Sequence, residues 1–207
     1  MRHQIIVLGR QFGSGGREIG QKLAAALGIR CYDRELITMA AEHAQLPEDV
    51  FAGKEEKAAN SWLFTGIYEG GPFVERGKPA EDILFQMQSA VIRRIAAQED
   101  CIIVGRCADT VLEEEDVDLL RIFISAPFEW RVRHRMELEG LEEKNAIALV
   151  RQMDKQRKRY YDYYTNHNWG KPENYDLCIN SSRLGIDRTA MVLAAHWNLL
   201  CETKDLL

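Results

Sequence analysis

The sequence predicts an α/β fold, a mostly parallel sheet with helices on both faces. Five short apolar segments rich in β-branched residues alternate with longer segments whose apolar residues recur at helical spacing. A glycine-rich turn joins the first apolar segment to the first helical one. The length of 207 residues and the 46% content of hydrophobic residues suit one domain with a core of useful size. We therefore expect a single domain over residues 1–207 and exclude a disordered or fibrous chain.

Each element follows from a local pattern of residues. The first strand is predicted at Gln4–Leu8, a β-branched run closed by Gly9, and the helix after the glycine-rich turn ends at Gly28. Similar short apolar runs predict strands at Ile29–Tyr32, Cys101–Gly105, Leu119–Ile124 and Leu177–Asn180. Helical spacing predicts further helices at Arg34–Ala44, Ala80–Gln98, Phe128–Leu138, Glu142–Tyr164 and Arg188–Leu200. Because ligands bind beyond the carboxyl ends of parallel strands, the residues just after these strands are the first candidates for chemistry.

Charge and cysteine usage exclude several kinds of partner. The formal net charge is −5, which argues against bulk binding to nucleic acid or to an anionic membrane. No apolar run approaches the roughly 18 residues of a membrane helix, and the first run, Ile5 to Gly9, is too short for a signal peptide. The five cysteines contain no C-x-x-C pair, so we expect reduced thiols in a cytoplasmic protein. The scattered histidines predict no metal site.

The turn Gln11–Glu18 has the context of a phosphate-binding loop. Its glycines let backbone N–H groups converge on an anion, and the following helix N-terminus adds about half a positive charge. Against the pattern G-x-x-x-x-G-K-[ST], the second glycine matches at Gly16, whereas Gln11, Arg17 and Glu18 replace the first glycine, the lysine and the hydroxyl residue. Arg17 can still bind phosphate through its bidentate fork. A carboxylate at Glu18 would repel phosphates unless a metal lies between them, and a glycine turn without a ligand is the alternative.

The chain resembles the cytidylate kinase-like family of P-loop nucleoside monophosphate kinases over nearly its whole length. The strongest portion is Ile6–Gly20, which contains the turn, followed by Tyr32 and Asp33. The resemblance implies a three-layer P-loop kinase fold with an acceptor-binding excursion, which we place in the irregular residues 47–79, and a helical lid at 128–164. It also implies ATP as the phosphate donor, with Mg²⁺ held mainly by phosphates and water and with Asp33 as the candidate protein ligand.

The resemblance also assigns roles to the residues that follow the strands. Asp33 is similar to the family's acidic residue beside the transferred phosphoryl group, and Gly105-Arg106 is similar to the pair that places an arginine on the acceptor nucleotide. In the family an Asp precedes that pair; here the position holds Val104, and Asp109 is the candidate that compensates. The residues implied to bind ATP are Gly13, Ser14, Gly15, Gly16, Arg17 and Glu18.

Basic residues in the second half of the chain supply the remaining candidates. Phosphoryl transfer needs charge stabilisation and alignment more than covalent chemistry. Arg131 and Arg135 share a helix face, and the acidic segment Glu137–Lys144 is typical of the tip of a mobile lid. By resemblance, lid arginines close over the phosphates and the Asp154-x-x-Arg157 step contacts the acceptor. The implied catalytic set is Arg17, Asp33, Arg131, Arg135 and Arg157, and the implied acceptor-binding set is Asp33, Arg106, Asp109, Asp154 and Arg157. A solvated, salt-bridged helix surface is the alternative for these helices.

Three functions are consistent with these features. The first is a nucleoside monophosphate kinase that phosphorylates a pyrimidine nucleotide, CMP or dCMP. The second is a nucleotide-binding sensor or pseudokinase, suggested by Glu18 and Val104, and the third is a kinase of another small acceptor, suggested by the excursion. The expected partners are small-molecule nucleotides, with no nucleic acid and no membrane. The aromatic residues of the excursion leave a homodimer contact or a pocket wall as open alternatives.

Overall fold

A computed structural model describes residues 2–33 and 80–204, and all of its strands belong to one parallel sheet. The sheet order is β2-β3-β1-β4-β5, and each neighbouring pair is parallel. All five predicted strands are confirmed, and the predicted helix Arg34–Ala44 and the excursion at 47–79 lie outside the described residues. The strands are β1 Gln4–Arg10, β2 Arg30–Tyr32, β3 Cys101–Val104, β4 Asp118–Ser125 and β5 Leu177–Asn180.

The helices in the described part of the chain match the predicted ones closely, with two additions. A short helix follows β3, and a 3-10 turn at Pro172–Asn174 precedes β5; both are too short to carry a helical period. The last helix begins at Ser181 rather than at Arg188, because helical residues lie on both sides of a kink at Gly185, where φ is 75°. The helices are α1 Gly16–Leu27, α2 Ala80–Ala96, α3 Ala108–Val111, α4 Phe128–Glu139, α5 Glu143–Tyr164 and α6 Ser181–Lys204.

The sheet is covered on both faces, which gives the three-layer fold that the sequence predicts. Successive side chains of a strand point to opposite faces. Ile5 and Val7 of β1 join the buried cluster that includes α2, whereas Ile6 and Leu8 join the cluster that includes α1 and α6. A strand buried on both faces has no polar alternation, which is why β1 appears in the sequence as a continuous apolar run.

A third, smaller cluster attaches α4 and α5 to the glycine-rich turn. The Phe12 ring of the turn is buried with Val132 of α4 and with Ala146 and Val150 of α5. These helices form the predicted lid region, and they pack directly on the segment between β1 and α1. The carboxyl ends of β1, β2 and β3 lie at the same edge of the sheet, so the cluster borders that edge.

None of the helices within residues 2–33 and 80–204 combines the length and the apolar character needed to cross a membrane.

The core position Ile122 tests this architecture. Ile122 lies in β4 and is 0% exposed. We expect Ile122→Ala to lower the free energy of unfolding by about 2–5 kcal/mol, because it leaves a cavity that the packed neighbours fill only partly. Met191→Ala on α6 is the control, since Met191 is 69% exposed, and it should change stability by less than about 0.5 kcal/mol. Urea denaturation of both variants measures the difference; equal stabilities would contradict the layered core.

Candidate active site

The turn between β1 and α1 forms a concave backbone loop. Gly13 and Gly15 adopt left-handed conformations, with φ of 79° and 75°. At Gly13 a Cβ atom would lie 2.8 Å from the backbone oxygen of Arg131, so neither the conformation nor the space allows a larger residue. Helix α1 begins at Gly16, and no side chain caps its N-terminus. The first-turn N–H groups of α1 are therefore placed to receive an anion.

The loop is held from behind by the ends of β4 and β5. Ser14 is fully buried, and its hydroxyl donates to the backbone oxygen of Gln11 at 2.9 Å. The Ser181 hydroxyl donates to the backbone oxygen of Ser14 at 2.7 Å, and Ala126 N–H donates to the Gln11 side-chain oxygen at 3.1 Å. Gln11, which replaces the first glycine of the phosphate-loop pattern, thus uses its side chain to fix the loop to the residue after β4.

The lid helices α4 and α5 hydrogen-bond to the loop at the backbone of Phe12. Its N–H donates to Asp154 Oδ1 at 2.8 Å, and its carbonyl accepts from Arg131 Nη1 at 3.0 Å. Arg131 Nη1 also lies 2.5 Å from Asp154 Oδ2, and Arg131 Nε donates to the Ala126 carbonyl at 3.0 Å. The guanidinium groups of Arg135 and Arg157 stand 4.5 and 5.2 Å from the centroid of the Phe12 ring. Arg131 and Asp154 therefore engage each other and the loop backbone in this structure.

Four arginines gather where β1, β2 and β3 end. Arg10 Nη2 lies 3.3 Å from Asp33 Oδ1, and Arg17 Nε lies 3.2 Å from Asp33 Oδ2. Arg157 Nη1 donates to the backbone oxygen of Arg10 at 3.1 Å. Burial, followed by the positive charge of Arg10, lowers the pKa of Arg157 to about 9, and the charge of Arg106 acts in the same direction. The four-arginine cluster, Arg10, Arg17, Arg106 and Arg157, thus gives this edge of the sheet an excess of positive charge over the single carboxylate of Asp33.

The ion pair of one of these arginines lacks a well-formed hydrogen bond. The Nε atom of Arg17 is buried and lies 3.2 Å from Asp33 Oδ2, but it makes no hydrogen bond of good geometry among the described residues. A buried donor without a partner is costly unless a ligand or water satisfies it. This donor is on the first turn of α1, beside the open N–H groups of the loop.

The segment after β3 is shaped to admit the Arg10 side chain. Gly105, Arg106 and Cys107 have φ values of 77°, 61° and 54°, three successive left-handed residues. A Cβ atom at Gly105 would overlap Arg10 Nη1 in its present position, so glycine leaves room for that guanidinium. Val104, the position at which the resemblance implies an acidic residue, is 0% exposed in the cluster with Leu8. A carboxylate at position 104 would be buried among apolar groups here.

Asp109 takes a different environment from the four-arginine cluster. It is 6% exposed, and its Oδ2 accepts a hydrogen bond from the Tyr161 hydroxyl at 2.6 Å. Burial raises the pKa of Asp109, and the cation whose charge opposes this shift is Arg121 of β4. The structure therefore directs the carboxylate that was expected to compensate for Val104 toward Tyr161 of the lid helix α5.

The side chains at the loop do not fit a magnesium ion held by protein ligands. Glu18 Oε2 lies 3.3 Å from His134 Nε2, and Asp33 lies between Arg10 and Arg17. Val104 has no oxygen to offer, and no group of three or more His, Cys, Asp or Glu side chains suited to a metal occurs within residues 2–33 and 80–204. A hard cation needs several oxygen ligands, so phosphate and water oxygens would have to supply them.

Sequence reasoning missed three contributors to this site. Arg10 directly ends β1, a position that the rule about strand ends could have found. His134 lies three residues after Arg131, so the same helix-face spacing that paired Arg131 with Arg135 includes it. Ser181 directly follows β5, and its hydroxyl lies under the loop. Its partner Ser14 is far away in sequence, so no local pattern marks the contact.

A parallel sheet with a glycine-rich loop before α1 and an arginine-lined edge defines a P-loop kinase-type, nucleotide-binding fold. The solved structure of shikimate kinase from Bacteroides thetaiotaomicron is similar in fold, with a TM-score of 0.54, 17% identity, and coverage of 94% of this chain and 98% of that one. An uncharacterized protein from Eubacterium ventriosum has a TM-score of 0.70 and 26% identity, with the same coverage of both chains.

The chain belongs to the cytidylate kinase-like family, whose model matches residues 5–183. A relative named cytidylate kinase from Methanopyrus kandleri is 26% identical over 97% of this chain and 96% of its own length. The family and the fold together place the chain among kinases, as the sequence predicted.

The contact between Arg131 and Asp154 can be tested by its contribution to stability. Their side chains are 7% and 20% exposed, so Asp154→Asn leaves a buried guanidinium without its anion. We expect the free energy of unfolding of the nucleotide-free protein to fall by about 3 kcal/mol. The control is Lys158→Gln on the same helix, whose partner Asp162 lies in an exposed pair and which should cost less than about 1 kcal/mol. Urea denaturation gives both values; an equal effect of the two variants would contradict a structural role of the Arg131–Asp154 pair.

Proposed function

We propose that the protein is a nucleoside monophosphate kinase that transfers the γ-phosphate of ATP to a pyrimidine nucleotide, CMP or dCMP. The observation that carries the proposal is the four-arginine cluster beside an uncapped glycine-rich loop. A loop of N–H groups suits the donor phosphates, and further arginines suit the phosphate of an acceptor. Membership of the cytidylate kinase-like family and the name of the Methanopyrus relative support the choice of acceptor.

In the proposed reaction a phosphate oxygen of the acceptor attacks the γ-phosphorus of ATP. The bond from that phosphorus to the β–γ bridging oxygen breaks, so the products are ADP and a nucleoside diphosphate. The attacking oxygen is already anionic, so no general base is required. The protein's part is to align the two phosphates and to neutralise the charge that gathers between them. We propose that magnesium enters bound to nucleotide phosphates and water.

Each arginine of the cluster has a place in this proposal. Arg17, on the first turn of α1 and 41% exposed, is assigned to the donor phosphates. Arg106, which follows β3, is the candidate for the acceptor phosphate. Arg157, which donates to the backbone oxygen of Arg10, is the candidate for the transferred phosphoryl group. Asp33 holds Arg10 and Arg17 in place through its two oxygens. Arg131 and Asp154 are proposed to act through the loop backbone that they fix, and Arg135 through the Phe12 ring.

A nucleotide-binding sensor is the second candidate. Glu18 replaces the usual hydroxyl and is paired with His134, and Val104 replaces an acid, so two features of a protein-held metal site are missing. Calorimetry with ATP and CMP, run beside a turnover assay, separates the two candidates. Tight binding without product formation supports the sensor. A kinase of another small acceptor predicts ATP-dependent ADP release that no nucleoside monophosphate stimulates.

The kinase proposal predicts a specific pattern of turnover. ADP release with ATP and saturating magnesium should be fastest with CMP or dCMP and slower with UMP and AMP. This order of rates is expected if the acceptor site resembles that of the Methanopyrus relative named cytidylate kinase. Absence of turnover above background with all four acceptors would overturn the proposal.

Arg17→Ala tests the loop itself. We expect kcat/KM for the preferred acceptor to fall at least about 100-fold, because one charged donor to the transferring phosphates is lost. Arg93→Ala is the matched control, since Arg93 is a half-exposed arginine of α2 whose ion pair is with Glu115. It should retain normal activity. Near-normal turnover of Arg17→Ala would mean that the loop does not bind the donor phosphates.

A further inference from the structure

Both ring nitrogens of His134 face groups that can only accept hydrogen bonds. Nδ1 lies 2.9 Å from the carbonyl oxygen of Gly13, and Nε2 lies 3.3 Å from Glu18 Oε2. A neutral imidazole has one N–H group and would leave its other nitrogen lone pair facing an oxygen. An imidazolium donates to both partners. The geometry therefore favours a protonated, positively charged ring between helix α4 and the loop.

The surroundings favour that charge. The His134 side chain is 12% exposed, and the hydrogen bond to Glu18 is the largest factor that raises its pKa. The same contact lowers the pKa of Glu18, so both shifts favour an ion pair between the two groups. Other charged side chains lie around the pair. Arg135 disfavours the positive charge of His134 and is itself paired with Glu139, whereas Arg17 favours the ionised form of Glu18. Lys22 of α1 is paired with Asp187 of α6. The Trp130 ring stands 5.0 Å from the imidazole and carries no charge.

The pair lies at the end of α1 where the nucleotide phosphates are proposed to bind. Glu18 belongs to the first turn of that helix, and Gly13 belongs to the loop. An isolated carboxylate there would repel phosphates. His134 cancels this charge and also ties α4 to the loop through Gly13.

We propose that His134 is a positioning residue of the nucleotide site, where its imidazolium neutralises Glu18 and fastens α4 to the phosphate loop. A neutral hydroxyl at position 18 would carry no charge and would need no such partner. The carboxylate of Glu18 does need one, and His134 provides it. The inference rests on the proposed binding of nucleotide at this loop. It makes nucleotide affinity depend on the proton of one histidine.

The sign of the pH dependence follows from the two charges. Below the raised pKa of His134, and above the lowered pKa of Glu18, the pair is neutral overall and the loop accepts phosphates. As pH rises through the pKa of His134, the ring loses its proton and Glu18 keeps its negative charge. Nucleotide affinity should therefore fall on the alkaline side.

Four proteins test the charge cycle: the unmodified chain, Glu18→Gln, His134→Gln and the double variant. The dissociation constant of ADP with magnesium is measured by calorimetry from pH 6 to 9 at constant ionic strength. Titration of the nucleotide's own phosphates is common to all four proteins and cancels in the comparison. His134→Gln should bind about tenfold more weakly at pH 7, with no histidine-linked pH dependence. The double variant should recover most of this loss. Glu18→Gln should bind more tightly than the unmodified chain on the alkaline side, with its pH transition displaced downward.

A second measurement reports the ion pair without nucleotide. Titration of the histidine ring resonances by NMR, with His134 assigned by its absence in His134→Gln, should give the unmodified chain a His134 pKa above that of free histidine. Glu18→Gln should lower it. The pKa of a ring with only a packing role would not change when the charge of Glu18 is removed.

The outcomes separate this inference from the proposed function. If the unmodified chain binds no ADP at any pH, the proposed function fails, and the affinity role of His134 fails with it. If it binds ADP but the four proteins share one pH dependence, only the His134 inference is overturned. A His134 pKa that is unchanged by Glu18→Gln would also overturn it.

Discussion

The site depends on one constraint, the fixed position of the backbone of Phe12. Its N–H and carbonyl are held by Asp154 and Arg131, which also pair with each other. Those contacts set the path of the loop between β1 and α1, and they attach both lid helices to it. Because Arg131 and Asp154 are largely buried, their charges stabilise the loop only while both are present. The same contact therefore orders the phosphate loop and positions the helices around it.

Positive charge is the second property that organises the site. Asp33 holds Arg10 and Arg17 with its two oxygens. Burial, together with the charge of Arg106, lowers the pKa of Arg10 and of Arg157. Four guanidinium groups at one edge of the sheet, with one carboxylate between two of them, repel each other and so destabilise the folded protein. An anionic ligand would offset that repulsion. The acidic net charge of the chain thus coexists with a strongly basic edge of the sheet.

The fold was largely predictable, because most of its strands and helices can be predicted from residues that are close together in the sequence. Strands β1 and β3 are short and buried on both faces, and the glycine-rich turn directly precedes the first helix, so a short window of sequence shows both features. The boundary of α6 was not predictable, since Gly185 interrupts the helical period without ending the helix. Within the site, Arg17 and Asp33 were indicated by the loop pattern and the strand ends. Arg10, His134 and the position of Ser181 were missed, because the partners that give them meaning are distant in sequence.

By itself the sequence determined the parallel sheet, the phosphate loop and the supply of arginines, since each depends on residues close together in the chain. Only the tertiary structure decided what each charged residue does. Arg131 and Arg135 look equivalent on one helix face, yet Arg131 holds the loop backbone while Arg135 packs its guanidinium over the Phe12 ring. In the sequence Glu18 departs from the phosphate-loop pattern, and only the structure places His134 against it. The reason is physical: the effect of a charge depends on its burial and on its nearest partners, and folding brings those partners from distant parts of the chain.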